Sequence, residues 1–250
     1  MNLTRYVLFV SLILHFSSMS FSQSRKDDNK KDKYFLLSSG ILFSKSKVID
    51  PKNFLETNYV GGFSVKATFQ SQFRKRLYWE ASILCNEYWI GYKLNDNNPL
   101  FLGSANDAFV SLESSYSLMY RVRTKNNKDI LNLYVGLFIG YAFSSKGPTG
   151  NIGYFNIMDG QNIINELEGK VNQHSLLILG NSMGISRDFR ITDKLDIGLN
   201  FNYNFGYNKL RQIDIEYTTT NSSEINTVNS TLNGTSWQSL IYFRYRISDI

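Results

Sequence analysis

A histidine beside a serine, His174-Ser175, is the first pair in this sequence that could do chemistry. A neutral imidazole can take a hydroxyl proton and leave a nucleophilic oxygen. Neighbouring residues of a strand point to opposite faces, however, so the two groups cannot meet in that geometry. An enzyme acting on lipid would need both on one lipid-facing side, and this pair departs from that pattern. Glu166 and Glu168 have no base or nucleophile partner and read as solvated charges in a long link, Asp159 to Val171. Cys85 is the single cysteine, which excludes an internal disulfide, and it lies too far from the N-terminal segment for an acylated start. A lone thiol is more often a small buried side chain than a reactive one. The sequence has no Cys/His spacing of a zinc site and no glycine-rich loop leading from a strand into a helix. It therefore yields no catalytic residue, and no cofactor or metal is expected.

Charge is the other chemical resource. Lys66, Glu80, Glu113, Arg121 and Arg244 share a parity with Gly, Ser and Asn in otherwise apolar segments, as do Arg123, Arg190 and Arg246. On a strand, that parity places them together on one face. Their chemistry is ion pairing inside a tube, with Glu80 expected near Met119 and Arg121 and Glu80–Arg121 as the expected lumenal ion pair. Charges of one sign buried there would be costly, and pairing offsets that cost.

The elements that must position these groups are strands. Leu195, Ile197, Leu199, Phe201, Tyr203, Phe205 and Tyr207 alternate with Asp196, Gly198, Asn200, Asn202, Asn204, Gly206 and Asn208. The stretches Tyr59 to Phe73 and Leu131 to Phe143 repeat that period of two, which a helix would scatter around its circumference. Eight such segments are expected, near 34–45, 58–73, 77–92, 107–124, 130–144, 174–191, 195–208 and 236–247. In the third, the apolar parity switches near Cys85, which predicts a bulge there. In the sixth, Asn181 and Arg187 interrupt the apolar row. Short polar turns at 74–76, 125–129 and 192–194 alternate with long links at 46–57, 93–106, 145–173 and 209–235. That asymmetry belongs to outer-membrane barrels, with short periplasmic turns and longer extracellular loops. An even strand number puts both termini in the periplasm.

The ends bound the compartment. Arg5 precedes an apolar run from Val7 to Phe16 and then small and polar residues, so 1–22 reads as a signal peptide cut after Ser22. The run is too short for a helix spanning a hydrocarbon core, which takes about 20 residues. Residues 23–33 are a charged, solvated periplasmic leader, and 34–250 form the barrel. The chain from Gln23 keeps 26 basic and 21 acidic residues, a formal +5. Its basic residues collect at the short turns, with Asp129, Asp188, Asp193 and Asp196 among them. They suit anionic lipid headgroups or a periplasmic or envelope protein partner, and give no nucleic-acid signal, while the barrel as a whole is expected to contact outer-membrane lipid and lipopolysaccharide. Three Asn-X-Ser/Thr triplets, at Asn221, Asn229 and Asn233, mark only a polar loop.

Period alone leaves a rival, a secreted soluble barrel with its apolar row turned inward. Three features favour lipid outside. Most segments exceed the roughly 9–11 residues a tilted strand needs to cross. Aromatic residues gather toward strand ends, and the polar row is small enough for a narrow lumen. The expected fold is thus all-β, an eight-stranded antiparallel up-and-down transmembrane β-barrel.

The Gly/aromatic strands Tyr59-Val60-Gly61-Gly62-Phe63 and Val135-Gly136-Leu137-Phe138-Ile139-Gly140-Tyr141, the Ser-Gln signal-peptide end and the strand count resemble the outer-membrane β-barrel family of Bacteroidota often called PorT-like. The last strand, Ser239 to Ile247, resembles a barrel-assembly signal but is followed by Ser248-Asp249-Ile250 instead of ending on an aromatic. The resemblance implies barrel architecture and outer-membrane location, with secretion served by some members, and carries over no functional residue. The expected role is non-enzymatic, a barrel with a plugged lumen acting through its loops or as an envelope component. A narrow ion or small-solute channel and an accessory of a secretion or assembly machine are the alternatives.

Overall fold

Among the described residues, twelve strands follow one another: β1 (Lys33–Ile49), β2 (Leu55–Thr57), β3 (Tyr59–Arg74), β4 (Leu77–Leu94), β5 (Ala105–Arg123), β6 (Asp129–Phe143), β7 (Ile157–Asp159), β8 (Asn162–Gln173), β9 (Leu177–Arg190), β10 (Leu195–Gly206), β11 (Arg211–Thr219) and β12 (Ser222–Ile247). The computed structural model describes residues 31–53, 55–57, 59–94, 105–123, 129–143, 157–159, 162–219 and 222–247. The expected signal peptide 1–22 and leader residues 23–30 lie outside them, and Lys33, the last leader residue, already opens β1.

Eight strands, β1-β3-β4-β5-β6-β9-β10-β12, pair antiparallel in that order, and β1 pairs β12 to close the ring. Closure leaves no edge strand, so every neighbour in the ring shares a ladder. The period of two is obeyed along most of the ring, the small residues Ser71 and Ser114 being buried although they stand on the outward parity. In β1, Tyr34, Leu36, Ser38, Leu42, Ser44 and Ser46 are buried while Phe35, Leu37, Ile41 and Phe43 are exposed. Every barrel strand turns large apolar residues outward, among them Phe63, Ile83, Leu118, Val135, Met183, Phe201 and Phe243.

The bulge expected at Cys85 is not there. The β3–β4 ladder runs without a shift from Ser64↔Asn86 to Gln72↔Tyr78, and Cys85 points outward. Parity holds, but the lining changes: Tyr88 and Ile90 continue the inward row of Tyr78, Glu80, Ser82, Leu84 and Asn86, and both are fully buried. An inward apolar pair mimics a parity switch when sequence alone is read.

The long links are also more structured than expected. β1 and β4 run into two of them, to Ile49 and Leu94, and β2 pairs β4 there. β8, β11 and the first half of β12 form a sheet that prolongs the barrel, so Glu166 and Glu168 lie in a strand opposite Thr218 and Glu216, not in a loop. His174 and Ser175 fall between β8 and β9, outside any strand, where both backbone N–H groups donate to the Leu210 carbonyl. At Gly234 φ is +81°, a left-handed value that favours glycine, and there β12 passes from barrel to extension. A tie joins the extension to the β1–β2 turn: Asp50 accepts from Lys52 N at 2.9 Å, Leu55 N at 2.8 Å and the Tyr217 hydroxyl at 3.3 Å. Burial and the facing Asp50 carboxylate push the Tyr217 phenol above its ordinary range.

At the loop end, β4 leaves β3 and leans inward. A Cβ on Gly62 would sit 2.0 Å from the Glu87 carbonyl oxygen, so the β4 backbone occupies the space where an inward side chain of β3 would stand. Three buried hydroxyls then hold β4. Ser44 bridges the N–H and C=O of Trp89, Gly91 N donates to Ser46 Oγ at 3.1 Å, and Ser230 donates to Gly91 O at 3.2 Å. A methyl group that close to backbone cannot be accommodated by a rotamer change. Gly62→Val is therefore expected to lower the urea midpoint by the equivalent of about 1–3 kcal/mol or to prevent refolding. Gly61→Val, whose Cβ would meet only the Phe43 ring at 3.5 Å, should refold with unchanged heat-modifiable gel mobility.

Candidate functional site: the lined lumen

The inward row fills the tube in tiers. At the turn end, Arg244 on β12 lies between two carboxylates of neighbouring strands, Asp188 on β9 and Asp196 on β10, each 2.7 Å from a guanidinium nitrogen. Strand pairing places them: Asp196 is opposite Arg244, and β9 adjoins β10 with Gly198 opposite Asp188. Asn132 also donates to Asp188 at 2.9 Å, and the Tyr242 hydroxyl donates to it as well. The Arg244 guanidinium stands 4.7 Å from the Tyr34 ring, and that of Arg121 stands 4.4 Å from the Tyr78 ring. Arginine suits this place because its planar fork pairs carboxylates and stacks on rings at once.

The middle tier is a hydrogen-bonded network. Gln70 donates to Glu80 at 2.7 Å and lies 3.2 Å from Met119 Sδ, while Thr68 and Ser82 share a bond of 2.9 Å. Lys66 is buried in the same tier, 6.0 Å from the Tyr134 ring, and lines the same small cavity as Glu80. The Tyr134 hydroxyl lies 2.5 Å from Asn200 Oδ1 and also against Asn202 Oδ1, the two acceptors sharing its single proton. Higher up, Ser64 donates to Asn86 at 2.6 Å and Ser111 to Glu113 at 2.6 Å, and Gln238 reaches Asn86 at 3.3 Å.

The top tier is apolar. Leu42, Tyr88, Ile90, Phe109, Phe138 and Ile178 from the barrel pack with Leu55, Leu210, Ile213, Ile215, Val228 and Leu232 from the extension. Arg211 is buried beside them with its guanidinium 4.6 Å from the Phe109 ring. Among the described residues, the polar tiers hold small cavities, two of them of about 10 Å³ each. That is close to the room one water needs.

All five residues singled out in the sequence, Lys66, Glu80, Glu113, Arg121 and Arg244, are buried on the inward face. The structure brings Lys66 and Glu80 into one tier. It sets Glu80 opposite Ser117 with Gln70 as its hydrogen-bonding partner, and Arg121 against tyrosine rings. Asp188 and Asp196 belong inside and not to the turn-end rim as expected. The signal was available, since they share parity with Ser186 and Gly198. Arg190, expected to face inward, is exposed at the turn end, while Arg246 is half-buried 5.6 Å from the Tyr34 ring. Tyr134 shares the inward parity of Asn132 and Gly136, but the inward Tyr34, Tyr78 and Tyr242 were missed because aromatic rings in a barrel sequence suggest the outer girdle first.

No family model and no curated protein matches the sequence, so the PorT-like resemblance stands on the residue pattern alone. Among solved structures, the chain is similar to the outer membrane protein OprG from Pseudomonas aeruginosa, with a TM-score of 0.41 and 13% identity over 88% of this chain and 98% of that one. It is also similar to Neisserial surface protein A (TM-score 0.37, 12% identity, 86% and 97% covered) and to outer membrane protein AlkL (0.36, 9%, 91% and 96%). Likenesses this distant assign no role to any residue here.

The Arg244 cluster gives a test of what the charges do. Arg244→Met would leave two buried carboxylates without their cation and should cost about 3–5 kcal/mol in urea unfolding. Adding Asp188→Asn and Asp196→Asn to that variant should restore most of the loss, because the uncompensated charges are then gone.

Proposed function

We propose that the chain is a non-enzymatic outer-membrane β-barrel with a sealed lumen, acting through the folded surface at its loop end or as a structural component of the envelope. The outward row supports the setting. Apolar residues such as Leu37, Val65, Leu112, Leu137, Ile185, Leu199 and Ile241 stand 36–63% exposed around the ring. An apolar belt around the whole barrel far exceeds the patches of a few hundred Å² that soluble monomers expose, and acyl chains would cover it. A closed ring also meets the requirement that no backbone donor or acceptor face hydrocarbon unpaired.

The observation that carries the role is the filled tube. An eight-stranded barrel has width enough only for side chains, and here an ion pair, a hydrogen-bonded network and an apolar cap occupy it in sequence. Lys33 and Ile247, the ends of the ring, pair beside the short turns, and this end is taken as the periplasmic side in this setting. The prolonged sheet then projects from the cell, with the tie at Asp50 holding it in shape. Surface contacts need such order, and a conducting path does not.

Planar-bilayer recording of the refolded chain from Gln23 should show no steady unitary conductance. Conductance that changes on Glu113→Gln or Arg121→Gln would overturn the seal and favour the narrow channel. Crosslinking from the turn at Arg74–Arg76 that captures a periplasmic assembly component would favour the accessory role instead.

A further inference from the structure

We infer that the outward loop-end surface of β1, β3, β10 and β12 is a binding site for a phosphorylated glycolipid of the outer leaflet. The inference deepens the membrane reading above and rests on it. Along β1, the outward row runs Ile41, Phe43, Lys45, Lys47, so the apolar belt gives way to two exposed lysines on one strand face. Residues two apart on a strand are about 7 Å apart, a spacing at which two ammonium groups can share one phosphate.

Below the lysines lies an aromatic shelf. Phe43 is opposite Trp237, the Trp237 and Tyr203 rings are 4.4 Å apart, and Tyr203 meets Phe205 at 4.3 Å. Phe43 and Trp237 are 40% and 50% exposed, so the shelf faces outward. Lys45 Nζ is 5.6 Å from the Tyr59 ring, which holds the ammonium at the level where the belt ends. The register partners of Lys45 on β3 and Lys47 on β12 are Tyr59 and Thr231, neither of them a carboxylate. Exposed Asn233 lies beyond Trp237 on β12 and offers the amide that a sugar hydroxyl requires.

From membrane to solvent the outward row of β1 thus passes from apolar Ile41 through aromatic Phe43 to cationic Lys45 and Lys47, with the Asn233 amide of β12 level with Lys45. A phosphorylated glycolipid presents acyl chains and then a phosphate-bearing sugar in the same order. A simple anionic phospholipid supplies only the first two chemistries and leaves the amide unused.

The test is binding of purified lipopolysaccharide to the refolded chain from Gln23 in non-ionic detergent, beside the dephosphorylated lipid and phosphatidylglycerol. Lys45→Gln/Lys47→Gln should weaken lipopolysaccharide binding roughly tenfold or more. Lys45→Arg/Lys47→Arg should retain it, and Lys75→Gln/Arg76→Gln at the opposite end should leave it unchanged. Removing the phosphates should weaken binding to the wild type by a similar factor. Equal affinity of the Gln pair and wild type, or displacement by phosphatidylglycerol mole for mole, would overturn the site while leaving the barrel in its membrane. A chain that stays a folded monomer without detergent would remove the leaflet, and with it the reading on which the site depends.

Discussion

Backbone pairing around a closed ring is the constraint from which the rest follows. In hydrocarbon, an N–H or C=O without a partner costs several kcal/mol, so the first and last strands must meet. They do so along nearly the whole of β1, from Lys33↔Ile247 to Ile49↔Asn229, with one register shift between Ser44 and Ser46. Once the ring is closed, each strand has one row of side chains outside and one inside, and no residue can escape that division.

The inward row then has to fill a narrow space while meeting most of the polarity it buries, with Gln70 Oε1, Asn86 Nδ2 and Asn132 Oδ1 left without a hydrogen bond among the described residues. The chain solves this differently at different heights. Near the turns it uses an arginine between two aspartates, with tyrosine rings covering the guanidinium. In the middle, amides, hydroxyls and tyrosines bond across the tube. Near the loops, apolar side chains take over and merge with those of the prolonged sheet. The shift from polar to apolar lining coincides with the place where β4 crosses Gly62 and is held by Ser44, Ser46 and Ser230. Sealing and loop architecture are therefore one packing problem, because Ile213, Ile215 and Val228 of the extension are buried against Tyr88 and Ile90 of the barrel.

The outward row is simpler, since acyl chains would select only for apolarity. Its departures are informative for that reason. Lys45 and Lys47 mark where the belt stops at one end, and Arg74, Lys75 and Arg76 mark the turns at the other. The aromatic residues Phe43, Trp237 and Tyr203 lie at the boundary, where one part of a side chain can stay dry and another meet polar groups.

Strand number, order of turns and links, and the inward placement of Lys66, Glu80, Glu113, Arg121 and Arg244 were all legible from the period of two, because alternation is a local property of extended backbone. The same rule applied more strictly would have drawn in Asp188 and Asp196. Which charges meet was not legible, since pairing depends on register between strands far apart in sequence: Arg244 finds Asp188 across 56 positions. Nor did Tyr88 and Ile90 announce an apolar cap, because an inward apolar residue and a shifted parity look alike until the neighbouring strands are in place. The links read as loops because their residues are polar, yet β8, β11 and the first half of β12 pair there, with every partner supplied by another part of the chain. Sequence determined which side of each strand a residue occupies; only the assembled ring decided what it touches.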